Sequence, residues 1–134
     1  MYVAAFIGAS RSGKTTLIAE LIRHYVAAGR RVGAIKHTHH PLNEENRGDT
    51  ARFRAAGAEP VILAGDEEAV IFTARGTARI RFAAPAELLA QCDAEIVLIE
   101  GFKRIADWPR IEVEAYARPT ADEAASILDR IWCS

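Results

Sequence analysis

The apolar positions fall into short unbroken runs separated by stretches with helical spacing. Val3-Ala4-Ala5-Phe6-Ile7 is the first run, and it predicts a strand covered on both faces. From Thr16 to Ala28, Leu17, Leu21, Ile22 and Tyr25 recur at helical intervals and predict an amphipathic helix stopped by Gly29. Arg31 to Lys36 predicts a second strand, and Pro41 to Gly48 a polar loop. Asp49 or Thr50 predicts the cap of a short helix ending at Gly57. Val61 to Leu63 predicts a strand, and Ala69 to Ala74 with Thr77 to Ala83 the arms of a hairpin about Arg75-Gly76. In the second arm Ala78, Ile80 and Phe82 alternate with Arg79 and Arg81, a period of two that predicts one buried and one charged face. A helix over Pro85 to Gln91 leads into a strand from Glu95 to Glu100, and a further strand is predicted from Ile111 to Ala115. Thr120 and Glu123 have capping-box spacing ahead of a helix from Ala121 to Trp132. The alternation of strand and helix predicts an α/β fold with a mostly parallel sheet flanked by helices and an antiparallel hairpin.

Between the first strand and the first helix lies Gly8-Ala9-Ser10-Arg11-Ser12-Gly13-Lys14-Thr15, which fits G-x-x-x-x-G-K-[ST] at every fixed position. A strand, loop and helix in this order aim backbone N–H groups and a helix N-terminus at one point, the geometry a polyphosphate needs. The pattern predicts a P-loop nucleotide-binding fold, with Gly8, Ser10, Arg11, Ser12, Gly13 and Thr16 around the phosphates. Lys14 is placed to reach the outer phosphates, and the Thr15 hydroxyl to hold Mg2+. The alternative is a Gly-rich turn that holds nothing.

Composition bounds the rest. A chain of 134 residues, half of them apolar, fits one domain over residues 1–134 with a real core. The net charge of -1 gives no support for general nucleic-acid binding. No apolar run is long enough to span a bilayer, and a strand starting by residue 3 leaves no room for a signal peptide, so a cytoplasmic location is expected. Cys92 and Cys133 are isolated and are expected as reduced thiols. Of 17 cationic side chains 14 are Arg, and the three Lys (Lys14, Lys36 and Lys103) all lie in segments with candidate chemistry.

Three such segments accompany the loop. Ile96-Val97-Leu98-Ile99-Glu100 is a fully apolar strand ending in an acid, at the end where open α/β sheets bind ligands. Glu100 there can hold Mg2+ through a water or orient an attacking water, or be an ordinary solvated acid. Lys36-His37-Thr38-His39-His40 closes the second strand. His37 and His39 face one way if the strand continues, which is half of a metal site without an obvious third ligand; otherwise the cluster lines the phosphate or partner-binding mouth. Gly48-Asp49-Thr50 opens a helix carrying Arg52 and Arg54. Its acid and hydroxyl either meet the outer phosphate and its Mg2+ or simply cap the helix.

Taken together these segments resemble the molybdopterin-guanine dinucleotide biosynthesis protein B (MobB) family. The likeness runs through Gly8 to Thr16, Val32 to His40, Gly48-Asp49-Thr50 with Arg52, Arg54 and Ala56-Gly57-Ala58, and Ile96 to Lys103 followed by Pro109 to Val113. It covers most of residues 2–115, and the Lys-His-x-His-His and Glu-Gly-Phe-Lys segments are its most specific parts. The resemblance implies a GTP-binding homodimer with weak GTPase activity that assists the guanylyltransferase of molybdenum cofactor maturation. It implies phosphate roles for Gly13, Lys14, Thr15 and Thr16 and the acidic strand end at Glu100. Lys36, His37, His39, His40, Gly101 and Lys103 become candidates for contacts to nucleotide or molybdopterin phosphates. The chain departs from the family in passing from its Ile-Glu-Val strand to Pro119 and one short helix, and it has no Asn-Lys-x-Asp sequence. Guanine specificity therefore rests on the resemblance. The alternatives are a small-molecule kinase with Arg52 and Arg54 on a second phosphate, a metal-delivery GTPase using His37, His39 and His40, and a phosphate-binding module without catalysis.

Overall fold

The computed structural model describes residues 1–9, 12–45, 48–102, 108–113 and 119–133. Seven strands form one sheet: β1 (Tyr2–Ile7), β2 (Val32–His37), β3 (Val61–Ala64), β4 (Glu68–Thr73), β5 (Gly76–Arg81), β6 (Ile96–Glu100) and β7 (Arg110–Glu112). Their order is β5-β4-β3-β2-β6-β1-β7. The pairs β1–β6, β1–β7, β2–β3 and β2–β6 are parallel, whereas β3–β4 and β4–β5 are antiparallel. The helices are α1 (Lys14–Ala27), α2 (Gly48–Ala56), α3 (Ala86–Leu89) and α4 (Ala121–Trp132).

The apolar runs become central strands because each must cover both sheet faces. Alternate residues separate into two cores. Ala4, Phe6, Val32, Ala34, Ile96 and Leu98 pack with the buried stripes of α1, α2 and α4. Ala5, Ile35, Val97 and Ile99 join a smaller core with Leu88 of α3, Cys92 and Phe82. The α4 helix is tied to β1 by Trp132, whose indole N–H donates to the Val3 carbonyl at 3.2 Å and whose ring stacks on Tyr2. No helix among the described residues is long and apolar enough to cross a membrane.

Several local expectations need adjustment. Asp49 and Thr50 fall in the first turn of α2, which begins at Gly48, and the Asp49 carboxylate is taken by Lys36 and Thr15. The arm β5 is not half-buried along its length. Ala78 is exposed, Ile80 is half-buried and only Phe82 beyond the strand is buried, since β5 is the sheet edge and α3 is only four residues long. The Thr120 hydroxyl accepts the Glu123 N–H at 3.1 Å as a cap should, but the Glu123 carboxylate takes the Thr120 hydroxyl rather than closing a reciprocal box. Residues 114 and 115 of the last predicted strand lie outside the described residues.

Candidate functional site

The loop after β1 leaves Gly8 no room for a side chain. A Cβ there would sit 2.3 Å from the Val113 carbonyl oxygen, and its φ of 153° lies where L side chains are strained. The loop ends at Gly13 in a left-handed conformation, and Gly13 brings no side chain to cap α1. The amides of the first helical turn are thus offered to a ligand, with the positive end of the helix dipole behind them. The Lys14 ammonium lies across the loop, donating to the carbonyls of Gly8 at 2.6 Å and Ala9 at 3.0 Å. The Ser12 hydroxyl is buried and finds no hydrogen-bond partner among the described residues. A buried hydroxyl left this way is costly unless a ligand completes it, which fits a bound phosphate oxygen.

Facing the loop is a cluster of opposite charges built by strand register. Lys36 of β2 pairs directly with Glu100 of β6, and α2 supplies Asp49 from the side. The Thr15 hydroxyl lies 2.9 Å from Glu100 Oε1 and 3.1 Å from Asp49 Oδ2, with one proton to give. The Lys36 ammonium donates to Asp49 Oδ2 at 2.6 Å and to Glu100 Oε2 at 2.8 Å. Burial works against the Lys36 charge, but the hydrogen bonds to Asp49 and Glu100 outweigh it and raise its pKa. A hydroxyl and two carboxylates converging on one point are the oxygen donors a hard cation such as Mg2+ takes, so the residues fit the ion. Arg52 closes the other side, donating to the Thr16 hydroxyl at 3.1 Å. The space bounded by Ser12 to Thr16, Lys36, Asp49, Arg52 and Glu100 is about 490 Å³.

A second cavity of about 720 Å³ adjoins it and shares Lys14, Lys36 and Glu100. Its wall carries His37, His39, His40, Gly101 and Phe102. The His37 ring stacks on Phe102, with centroids 4.2 Å apart and planes 12° from parallel, and its Nε2 lies 2.9 Å from Asp66 Oδ1. Phe102 holds φ 56°, and a Cβ at Gly101 would meet the His37 Cβ at 2.8 Å. The β6 end and the β2 end are thus packed with no space to spare.

The structure brings together Gly8, Ser12, Gly13, Lys14, Thr15, Thr16, Lys36, Asp49 and Glu100, and beside them His37, His39, His40 and Gly101. Ser10, Arg11 and Lys103 lie outside the described residues. Thr50 is buried within α2, and the walls of these two cavities do not include it. Arg54 does not join Arg52, because two residues along a helix turn a side chain by about 200°, which takes Arg54 to the Thr73 carbonyl at 3.3 Å and the Phe72 ring. A second phosphate clamped by both arginines is therefore not formed. The second cavity also takes in Phe102, which lies inside the Glu-Gly-Phe-Lys segment, and Asp66, which the sequence reading did not single out. Asp66 could have been found from its place just past the carboxyl end of β3, which pairs in parallel with β2.

The sequence matches the family description "Molybdopterin guanine dinucleotide synthesis protein B" over residues 3–131. It is 39% identical over 98 residues to the molybdopterin-guanine dinucleotide biosynthesis adapter protein of Haemophilus influenzae, covering 72% of this chain and 54% of that protein. Identity to the Escherichia coli adapter protein is 36% over 103 residues, covering 74% of this chain and 58% of the relative. The chain thus spans a little over half the length of these curated relatives. The fold is that of the Bacillus subtilis MobB crystal structure, with a TM-score of 0.54 at 20% identity over 99% of this chain and 97% of that one. It also aligns with the Bacillus stearothermophilus MobB homologue at a TM-score of 0.50 and 24% identity, over 95% of this chain and 70% of that one. Matched along nearly its whole length, the chain belongs to the molybdopterin guanine dinucleotide synthesis protein B (MobB) family.

Proposed function

We propose that this chain is a GTP-binding accessory protein of molybdopterin guanine dinucleotide synthesis, a single nucleotide-binding domain that acts in the cytoplasm as a homodimer beside the guanylyltransferase. The observation that carries the reading is the phosphate loop itself: uncapped helix amides, a buried Ser12 hydroxyl without a described partner, and Thr15, Asp49 and Glu100 converging next to it. In this reading Lys14 leaves the loop carbonyls for the outer phosphates. Thr15, Asp49 and Glu100 would hold Mg2+, which when bound neutralises negative charge on the phosphate oxygens. Glu100 is also placed to orient a water. Turnover is slow, because none of the described residues around the loop is an amide that could position a nucleophile, and Arg52 is engaged with Thr16. A slow GTPase suits an adapter, the role that the curated relatives' names give those proteins. The dimer is what the family resemblance implies, and β5, a sheet edge that needs a partner or a cover, supports it.

The deciding experiment is calorimetric titration with GTP, ATP and inorganic triphosphate in the presence of Mg2+. GTP should bind tightest, and Lys14→Ala should abolish binding in a folded protein. Equal binding of all three would reduce the site to a phosphate holder. Sedimentation as a monomer at micromolar concentration would refute the dimer.

A further inference from the structure

We propose that His37, His39 and Asp66 form a binding site for a divalent transition ion of the zinc class, opening on the cavity beside the phosphate loop. One ligand-bearing atom from each residue lies within 4.8 Å of the others. They come from two pieces of chain: His37 ends β2 and His39 lies two residues beyond it, while Asp66 sits in the turn between β3 and β4. The separation of His37 Nε2 and Asp66 Oδ1, 2.9 Å, is close to that of two donors on one ion. Bonds of about 2.05 Å place adjacent ligand atoms about 2.9 Å apart at a right angle and about 3.3 Å apart at the tetrahedral angle. His39 already faces His37, ring centroids 4.8 Å apart and edge to face. It is exposed, on the wall of the same cavity.

The donor chemistry selects the ion class. Two imidazoles with one carboxylate suit zinc, cobalt or nickel, whereas Ca2+ and Mg2+ prefer oxygen alone. Three protein ligands leave a coordination position for water or an anionic ligand. The stacking of His37 on Phe102 fixes its ring plane, as outer contacts around metal-binding imidazoles commonly do. His40 is outside the set. Its main-chain N–H donates to the Thr38 hydroxyl, and its ring atoms do not join the group of three. The site differs from the Thr15–Asp49–Glu100 point in ligand type as well as position, so each can be filled without the other.

The test uses chelator-stripped full-length protein without nucleotide or Mg2+. Co2+ is titrated by visible absorption and Zn2+ by calorimetry. One equivalent should bind saturably, with cobalt bands that Zn2+ displaces. His39→Ala and Asp66→Asn change exposed residues, so the fold should be retained, and circular dichroism checks it. Each should weaken binding by an order of magnitude or more, while His24→Ala, on the outer face of α1, should leave it unchanged. Absence of saturable binding, or retention of affinity in either variant, would overturn the three-ligand site. A single His37–Asp66 hydrogen bond would then account for the contact.

Discussion

Lys36→Met keeps most of the side-chain stem and deletes the ammonium that sits between Asp49 and Glu100. The Glu100 side chain is 8% exposed, Lys36 25% and Asp49 31%, so the cluster is only partly open to water. Unit charges about 4 Å apart interact by about 4 kcal/mol at the effective dielectric of a protein surface. Desolvation of the ammonium offsets much of that gain. Removing one member of a buried ion pair costs about 3–5 kcal/mol because the partner charge stays behind. Partial exposure lowers the figure here to about 2 kcal/mol, or roughly 6 °C in melting temperature for a domain of this size. The same two carboxylates are the proposed Mg2+ ligands, so the ion and the ammonium compete for them. Urea unfolding in EDTA should therefore show the variant less stable than the native chain, and millimolar Mg2+ should restore the variant more than it helps the native protein. The folded Lys36 pKa is raised. The contribution of its charge is therefore complete below the ordinary lysine value of about 10.4 and is lost as pH rises through the higher folded value. The deficit of the variant should accordingly persist through neutral pH. Equal stability in EDTA, or an equal response to Mg2+, would refute the competition.

Gly8→Ala should disrupt the junction of loop and β7, since its Cβ would lie 2.3 Å from a backbone oxygen; a loss of about 2–3 kcal/mol in urea unfolding is expected, and native stability would contradict it. Thr120→Ala removes the cap of α4 and should cost about 1 kcal/mol, with Thr120→Ser nearly neutral. The two thiols should differ in reactivity: Cys133 is exposed, whereas burial pushes Cys92 up to about 12, so iodoacetamide at pH 8 should label the first quickly and the second only on unfolding. The raised folded value also means that unfolded Cys92 releases its proton first as pH rises. Stability should then fall between about pH 9 and pH 12, and Cys92→Ala should lessen that slope.

The parts of the fold set by local pattern were legible, and those set by partners were not. The apolar run at Ile96 to Ile99 could only be a covered strand, and helical spacing from Leu17 to Tyr25 specified the buried face of α1. The exposed β5 was misjudged because alternation shows which residues share a face, not whether anything covers that face. The phosphate loop was readable because its chemistry is contiguous. The bridge of Lys36 to Glu100 depends on β2 lying next to β6 across 64 residues of chain, and no local signal fixes that adjacency. Asp66 was missed for the same reason: its meaning comes from parallel pairing of β3 with β2, which places a turn residue beside His37.

The contact of Gly8 with Val113 has a consequence for how occupancy can be observed. No side chain separates the loop from residue 113, and the Val113 amide hydrogen is already given to the Ile7 carbonyl at 2.8 Å. An anion that stiffens the loop must also stiffen this joint, although it never reaches residue 113. Slowed hydrogen exchange at that single amide would then serve as a remote gauge of the filled site, readable without labelling the ligand.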